Sequence, residues 1–200
     1  MTNSTTPHAP TGAAQSAPVG LAGDRLVAEL ERLGLRYLSR GPLPEPIAPL
    51  APEALISGLA ASPEARLRAA LVPLFLWRPD YAGAALAVSE GLNDKARIKL
   101  LCYYSAAVAL QRRYVERGVE AHLGAHGRAP LPDLFASALG LPPMVDPTIR
   151  LSVVAERHAQ LSGESINWLG TYENAASTFL RFAEPSLYNP VGAHGRAPFD

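Results

Sequence analysis

The stretch NDKARIKLLCYYSAAVALQRRYVERG, residues 93–118, decides the fold class of this chain. Asn93 or Asp94 can cap the N-terminus of a helix, and Gly118 can end it. Between these ends, small and apolar side chains recur at intervals of three and four residues, which is the spacing of one helix face. That face carries Ile98, Leu101, Cys102, Ser105, Val108 and Ala109. The stretch therefore predicts a long central helix.

Shorter helical patterns precede the central stretch. One covers residues 23–39, a second begins at Pro52, and a third is capped by Ser62 with Pro63 at its first position. Pro73 lies inside the third pattern, where it should kink the helix. A further helix is predicted after Pro79.

Three more helices are predicted after the central stretch. A short one ends at Gly140, the next begins at the Asp146-Pro147 cap, and the last covers residues 165–185 with Ile166 on its core side. No segment alternates polar and apolar residues for long enough to indicate a strand. These patterns predict an all-α chain, a compact bundle of roughly seven or eight helices, with a short α-solenoid as the alternative.

The length of 200 residues fits one globular domain with loose ends. Residues 1–22 are dominated by Ser, Thr, Pro, Ala and Gly, a composition that predicts a disordered tail. We place a single helical domain at 23–187, with a proline-rich strap at 41–52 and an inserted loop at 118–130. Residues 188–200 are predicted to be a C-terminal tail.

Charge and cysteine content narrow the function classes. Eighteen basic residues balance 18 acidic ones, so bulk charge predicts no nucleic-acid partner. Cys102 is the single cysteine, which excludes a disulfide framework and a thiolate metal cluster. The N-terminus lacks the pattern of an export signal, and no apolar run is long enough to span a bilayer. We therefore expect a cytoplasmic protein with no membrane partner.

Known catalytic and cofactor motifs are missing from the sequence. There is no phosphate-binding loop, no dinucleotide fingerprint and no serine-hydrolase elbow, and His8, His126 and His194 lie in predicted tails or in the predicted inserted loop. We therefore predict no cofactor, no metal and no catalytic residue. A weak alternative is the pair Arg117 and His122, whose spacing is similar to that of the HEPN ribonucleases. That resemblance would make Arg117 a phosphate clamp and His122 an acid or base. The pair Arg150 and His158 has one intervening residue too many for the same pattern.

Two aromatic segments supply candidates for a protein interface. WRPDYAG contains Trp77 and Arg78, and INWLGTYEN contains Trp168 and Tyr172. Tryptophan and arginine are typical interface anchors when they are exposed. Large aromatic side chains are more often buried, so core packing is the competing interpretation.

Four segments of the chain resemble an uncharacterised family of small helical proteins from Chloroflexi-like and cyanobacterial bacteria: SPEARLRAALVPLFLWRPDYA, LLCYYSAAVALQRRY, LPDLFASALGLPP and SINWLGTYENAASTFLRF. The resemblance covers about residues 52–184. Genes of that family often lie beside nucleotidyltransferase-like genes, which implies a protein partner and assigns no site residue. We expect a non-enzymatic interaction module, the partner of a nucleotidyltransferase-like protein in a toxin-antitoxin type of pair. The alternatives are a HEPN-like ribonuclease and an α-solenoid scaffold, and the sequence leaves the oligomeric state open.

The heptapeptide GAHGRAP occurs twice, at residues 124–130 and 192–198, with no similarity around the two copies. Ala-His-Gly-Arg-Ala can be encoded by GCGCACGGCCGTGCG, which together with the next C equals its own reverse complement. We interpret both copies as translated palindromic repeats inserted at exposed positions, so their His and Arg side chains carry no selected chemistry.

The gene tests this interpretation directly. Both copies are expected to keep the palindromic codons, because one mobile DNA element would have supplied them. Sequencing the gene checks this, and third positions that differ freely and break the dyad would contradict the interpretation.

Overall fold

The structure, a computed structural model, describes residues 23–35, 38, 48–118 and 129–183. The chain forms α1 (Gly23–Arg32), α2 (Pro52–Ala61), α3 (Ala65–Ala69), α4 (Leu71–Trp77), a 3₁₀ turn (Pro79–Tyr81), α5 (Ala82–Gly91), α6 (Asp94–Glu116), α7 (Ala136–Leu139), α8 (Pro147–Ser162) and α9 (Trp168–Ala183). These ranges contain no strand. The predicted all-α class is confirmed, and α3 with α4 counted as one interrupted helix gives eight α-helices in the described ranges.

The central helix α6 is buried all around, beyond the single face that the sequence predicts. Every residue from Leu100 to Gln111 is buried. A helix that is apolar on all sides needs neighbours on all sides, and α6 contacts α2, α4, α5, α7, α8 and α9. In a solenoid each helical pair would contact only the next pair. The arrangement around α6 is a bundle, so the solenoid alternative is wrong.

Several helix ends lie where the sequence predicts them. The Asn93 side chain accepts a hydrogen bond from the Ala96 amide, and the Asp146 carboxylate accepts from the Thr148 and Ile149 amides. Gly118 and Gly140 follow α6 and α7 with φ of 68° and 61°, in the left-handed region that favours glycine. Local chemistry therefore determines these ends.

Two predicted helices differ from the structure. The first ends at Arg32 and does not reach residue 39, because Gly34, two residues further on, adopts a φ of 86°. The third begins at Ala65, and Ser62 instead closes a turn by accepting a hydrogen bond from the Glu64 amide.

The third predicted helix is divided into two helices, α3 and α4, whereas the sequence predicts only a kink at Pro73. The helix breaks at Ala70, and Pro73 then lies in the first turn of α4. Backbone N–H groups in the first turn have no partner within the helix, so the lack of an N–H at Pro73 costs no intrahelical hydrogen bond. Ile166, expected on the core side of the last helix, precedes α9 and is 45% exposed. The prediction for Ile166 is therefore wrong.

Only parts of the predicted strap and inserted loop fall within the described residues. At the end of the strap, Leu50 is buried against the core and Pro52 begins α2. Residues 119–128, both predicted tails and the second GAHGRAP copy lie outside the described residues. No helix within the described ranges has both the length and the apolarity needed to cross a bilayer.

Residues 129–132 are hydrogen-bonded to α6. The Gln111 amide donates to the Ala129 carbonyl at 2.8 Å and accepts from the Leu131 amide at 2.7 Å. The Tyr104 hydroxyl donates to the Pro132 carbonyl at 2.9 Å. These bonds satisfy backbone groups that have no helical partner, and they lead the chain back to the core before α7.

Candidate functional site

A buried histidine lies at the contact between α6, α8 and α9. The His158 ring on α8 stacks on Trp168 with a centroid distance of 3.6 Å. Its Nδ1 shares a hydrogen bond of 2.7 Å with the Tyr172 hydroxyl. Tyr103 on α6 presents its edge to His158 and to Tyr172 with centroid distances of 5.5 Å. All four side chains are buried. They form what we call the histidine cluster: Tyr103, His158, Trp168 and Tyr172.

The surroundings of His158 keep its ring neutral. Burial lowers the pKa of His158 to about 3, and the positive charges of Lys99 and Arg68 add to the effect. Burial also raises the pKa of Tyr172 well above its usual range. A neutral histidine with a hydrogen-bonded phenol holds α8 against α9 and exchanges no proton near neutral pH. The histidine cluster therefore stabilises the packing of α8 against α9. The positions of its residues in the sequence do not predict that they contact each other.

Arg150 does not share a site with His158, although both lie on α8. Arg150 is 1% exposed, and its guanidinium contacts the Asp133 carboxylate at 2.6 Å. This ion pair fastens the start of α8 to the segment before α7, whereas His158 contacts Tyr172.

The alternative ribonuclease pair falls only in part within the described residues. Arg117 follows the last residue of α6 and is exposed, and Gly118 after it has a φ of 68°. His122 lies outside the described residues.

Two of the side chains that the sequence offers as interface candidates are buried in the structure. Trp168 is 3% exposed and Tyr172 is fully buried, because both belong to the histidine cluster. These two side chains pack inside the molecule, as the competing interpretation predicted.

Trp77 and Arg78 are half-buried and make contacts within the chain. The Trp77 indole donates to the Leu33 carbonyl at 2.8 Å, which fastens α4 to the end of α1. The Arg78 guanidinium donates twice to the Asp80 carboxylate, at 2.9 and 2.6 Å, and lies 4.3 Å from the centroid of the Tyr81 ring. Both side chains therefore stabilise the corner before α5.

A groove lies on the outer side of the histidine cluster, between α8 and the start of α9. It has a volume of about 380 Å³. We call it the α8–α9 groove, and its lining residues are Ser152, Ala155, Glu156, Ala159, Ile166, Asn167, Trp168 and Leu169.

Exposed apolar side chains are most frequent on and around α8, and one of them, Ile166, lines this groove. Six large hydrophobic residues in the described ranges are exposed, and four of them lie on α8 or within four residues of its ends. These four are Val145, Ile149, Leu161 and Ile166. The other two, Leu86 and Val115, are on α5 and α6.

The described residues contain no group of side chains that could hold a metal ion. Within the part of the chain that the structure describes, no three His, Cys, Asp or Glu side chains converge as metal ligands. The buried Cys102 thiol has its pKa raised to about 12, chiefly by burial, so it is neither a thiolate ligand nor a nucleophile near neutral pH.

No protein-family model, no curated protein and no solved structure matches the chain.

The low pKa of His158 predicts an acid-dependent loss of stability. An unfolded histidine binds a proton below about pH 6.5, whereas the folded one resists protonation down to about pH 3. Stability contributed by the neutral ring is therefore complete above pH 6.5 and falls as the pH drops from 6.5 towards 3.

Urea unfolding of the wild type and of His158→Phe at pH 7 and pH 4.5 measures this. The wild type should lose on the order of 2–3 kcal/mol more than the variant between these pH values, at 1.36 kcal/mol per pKa unit. Carboxylates titrate in both proteins and cancel in the comparison. Parallel losses in the two proteins would show that His158 is not held neutral.

Proposed function

We propose that the chain is a non-enzymatic interaction module that binds a partner protein through the α8–α9 groove. The observation that carries the proposal is that Ile166 is 45% exposed in the lining of the groove, and that Ile149, 62% exposed, lies one helical turn before the groove-lining Ser152 on α8. Exposed apolar side chains gathered on one side of a domain are typical of interaction sites.

The shape of the groove favours a helix as the bound element. Ser152, Ala155 and Ala159 lie at helical spacing on α8 and have small side chains, so a second helix can approach closely. Ile149 and Ile166 can then contact its apolar face. Glu156 is the charged side chain in the lining, and a basic residue of the partner would be its complement. The occupant is therefore an amphipathic helix with a basic residue beside its apolar face.

The resemblance stated above supports a nucleotidyltransferase-like protein as the partner to test first. In a two-gene pair of the toxin-antitoxin type, such a helix would belong to the neighbouring gene product. The histidine cluster would hold α8 and α9 at the fixed separation that the groove needs.

The test is purification of the full chain, tagged at its N-terminus, from its native cell. Ile149→Asp with Ile166→Asp places two charges beside the groove, and Leu86→Asp is the matched control because Leu86 and Ile166 are each 45% exposed. We expect a stoichiometric partner to copurify with the wild type and with Leu86→Asp. The double variant should lose it, because buried unpaired charges at an interface cost several kcal/mol.

Circular dichroism melting curves of the three proteins check that the fold is unchanged. A partner retained by the double variant, or no stoichiometric partner at all, would overturn the proposal. Self-association through this face would appear as a dimer in light scattering and would also contradict it.

A further inference from the structure

A second cavity, separate from the α8–α9 groove, collects both lysines of the chain. Lys95 and Lys99 lie one turn apart on α6 and line a cavity of about 190 Å³. Ser162 and Glu164, at the end of α8 and just beyond it, form the opposite side. Ile98 and Leu161 complete the lining, and we call this space the lysine cavity.

Two of the three charged side chains that line the lysine cavity are cationic, and the third is the carboxylate of Glu164. Neither Lys95 nor Lys99 forms an ion pair within the described ranges. Arg68 on α3 is buried nearby and uses one guanidinium nitrogen for the Ser62 and Pro63 carbonyls. Burial, followed by the charge of Arg68, lowers the pKa of Lys99, while the Glu164 carboxylate acts in the opposite direction. Three cations and one carboxylate therefore act on one small space, and the excess of positive charge attracts an anion.

Glu164 adds a requirement that a simple anion does not meet. Its Oε2 atom is buried and has no hydrogen-bond partner in the described chain. A buried acceptor without a donor is unfavourable, and a ligand that supplies the donor removes this penalty. A ligand that offers oxyanion oxygens to the lysines and a hydroxyl to Glu164 satisfies both sides of the cavity. Hydrogen phosphate has both groups, whereas sulfate has no O–H to donate.

We infer that the lysine cavity binds a hydrogen phosphate group, with Lys95 and Lys99 on its oxygens and its O–H donated to Glu164. The ligand is either free phosphate or a small phosphate monoester, since both carry the same group. This site is independent of the protein-binding proposal, because it uses no residue of the α8–α9 groove.

The test is calorimetric titration of the full chain in phosphate-free buffer at constant ionic strength, with inorganic phosphate, sulfate and glycerol phosphate as probes. Phosphate should bind saturably and at least about tenfold more tightly than sulfate, because sulfate leaves Glu164 unpaired. Competition by glycerol phosphate would identify the monoester as a ligand, and its absence would identify the free ion; either result supports the site.

Variants distinguish phosphate binding in the lysine cavity from non-specific attraction of anions to the protein surface. Lys99→Met should weaken phosphate binding at least about tenfold, with the exposed Lys95→Met as a second variant if the first fails to fold. Glu164→Gln should bring phosphate and sulfate to similar affinity, because the amide can donate to either ion. Arg112→Met, an exposed position on the same helix, should change nothing. Non-saturable binding, equal binding of sulfate by the wild type, or binding that is insensitive to both lysine variants would overturn the inference.

Discussion

The rest of the structure depends on the complete burial of the middle of α6. Every residue from Leu100 to Gln111 is at most 4% exposed, so the helix is stable only while other helices cover every face. Burying one leucine-sized side chain contributes about 1.5–3 kcal/mol. The alternation of small residues, such as Ala106 and Ala107, with the bulky Tyr103 and Tyr104 lets α4 and α8 approach closely. The bundle is therefore organised radially around one helix.

Polar contacts fix how the outer elements sit on this helix. Gln111 and Tyr104 hold the segment that leads to α7, and the pair of Arg150 and Asp133 holds the start of α8. The contact of His158 with Tyr172 joins the end of α8 to α9. Buried polar groups are costly unless they are paired, so each contact favours one relative position of its elements. The α8–α9 groove and the lysine cavity both take their shape from these positions.

The sequence predicts the features that depend on neighbouring residues. Asn93 and Asp146 begin helices, and Gly118 and Gly140 end them, because capping and positive φ are local effects. The exposure of Ile166 depends on how α8 meets α9, which no local pattern contains. The same is true of the two binding surfaces: Lys99 and Glu164 are far apart in the chain, and only the packing of α8 against α6 brings them to one cavity.

Native-state hydrogen exchange tests the central role of α6 most directly. If the burial of α6 supports the whole bundle, the amides of residues 100–111 open only with global unfolding, and their exchange free energy equals the unfolding free energy measured in urea. The half-exposed helix α5 serves as the internal reference and should exchange through smaller openings. Exchange of the α6 amides at the rate of α5, well below the global free energy, would contradict the account.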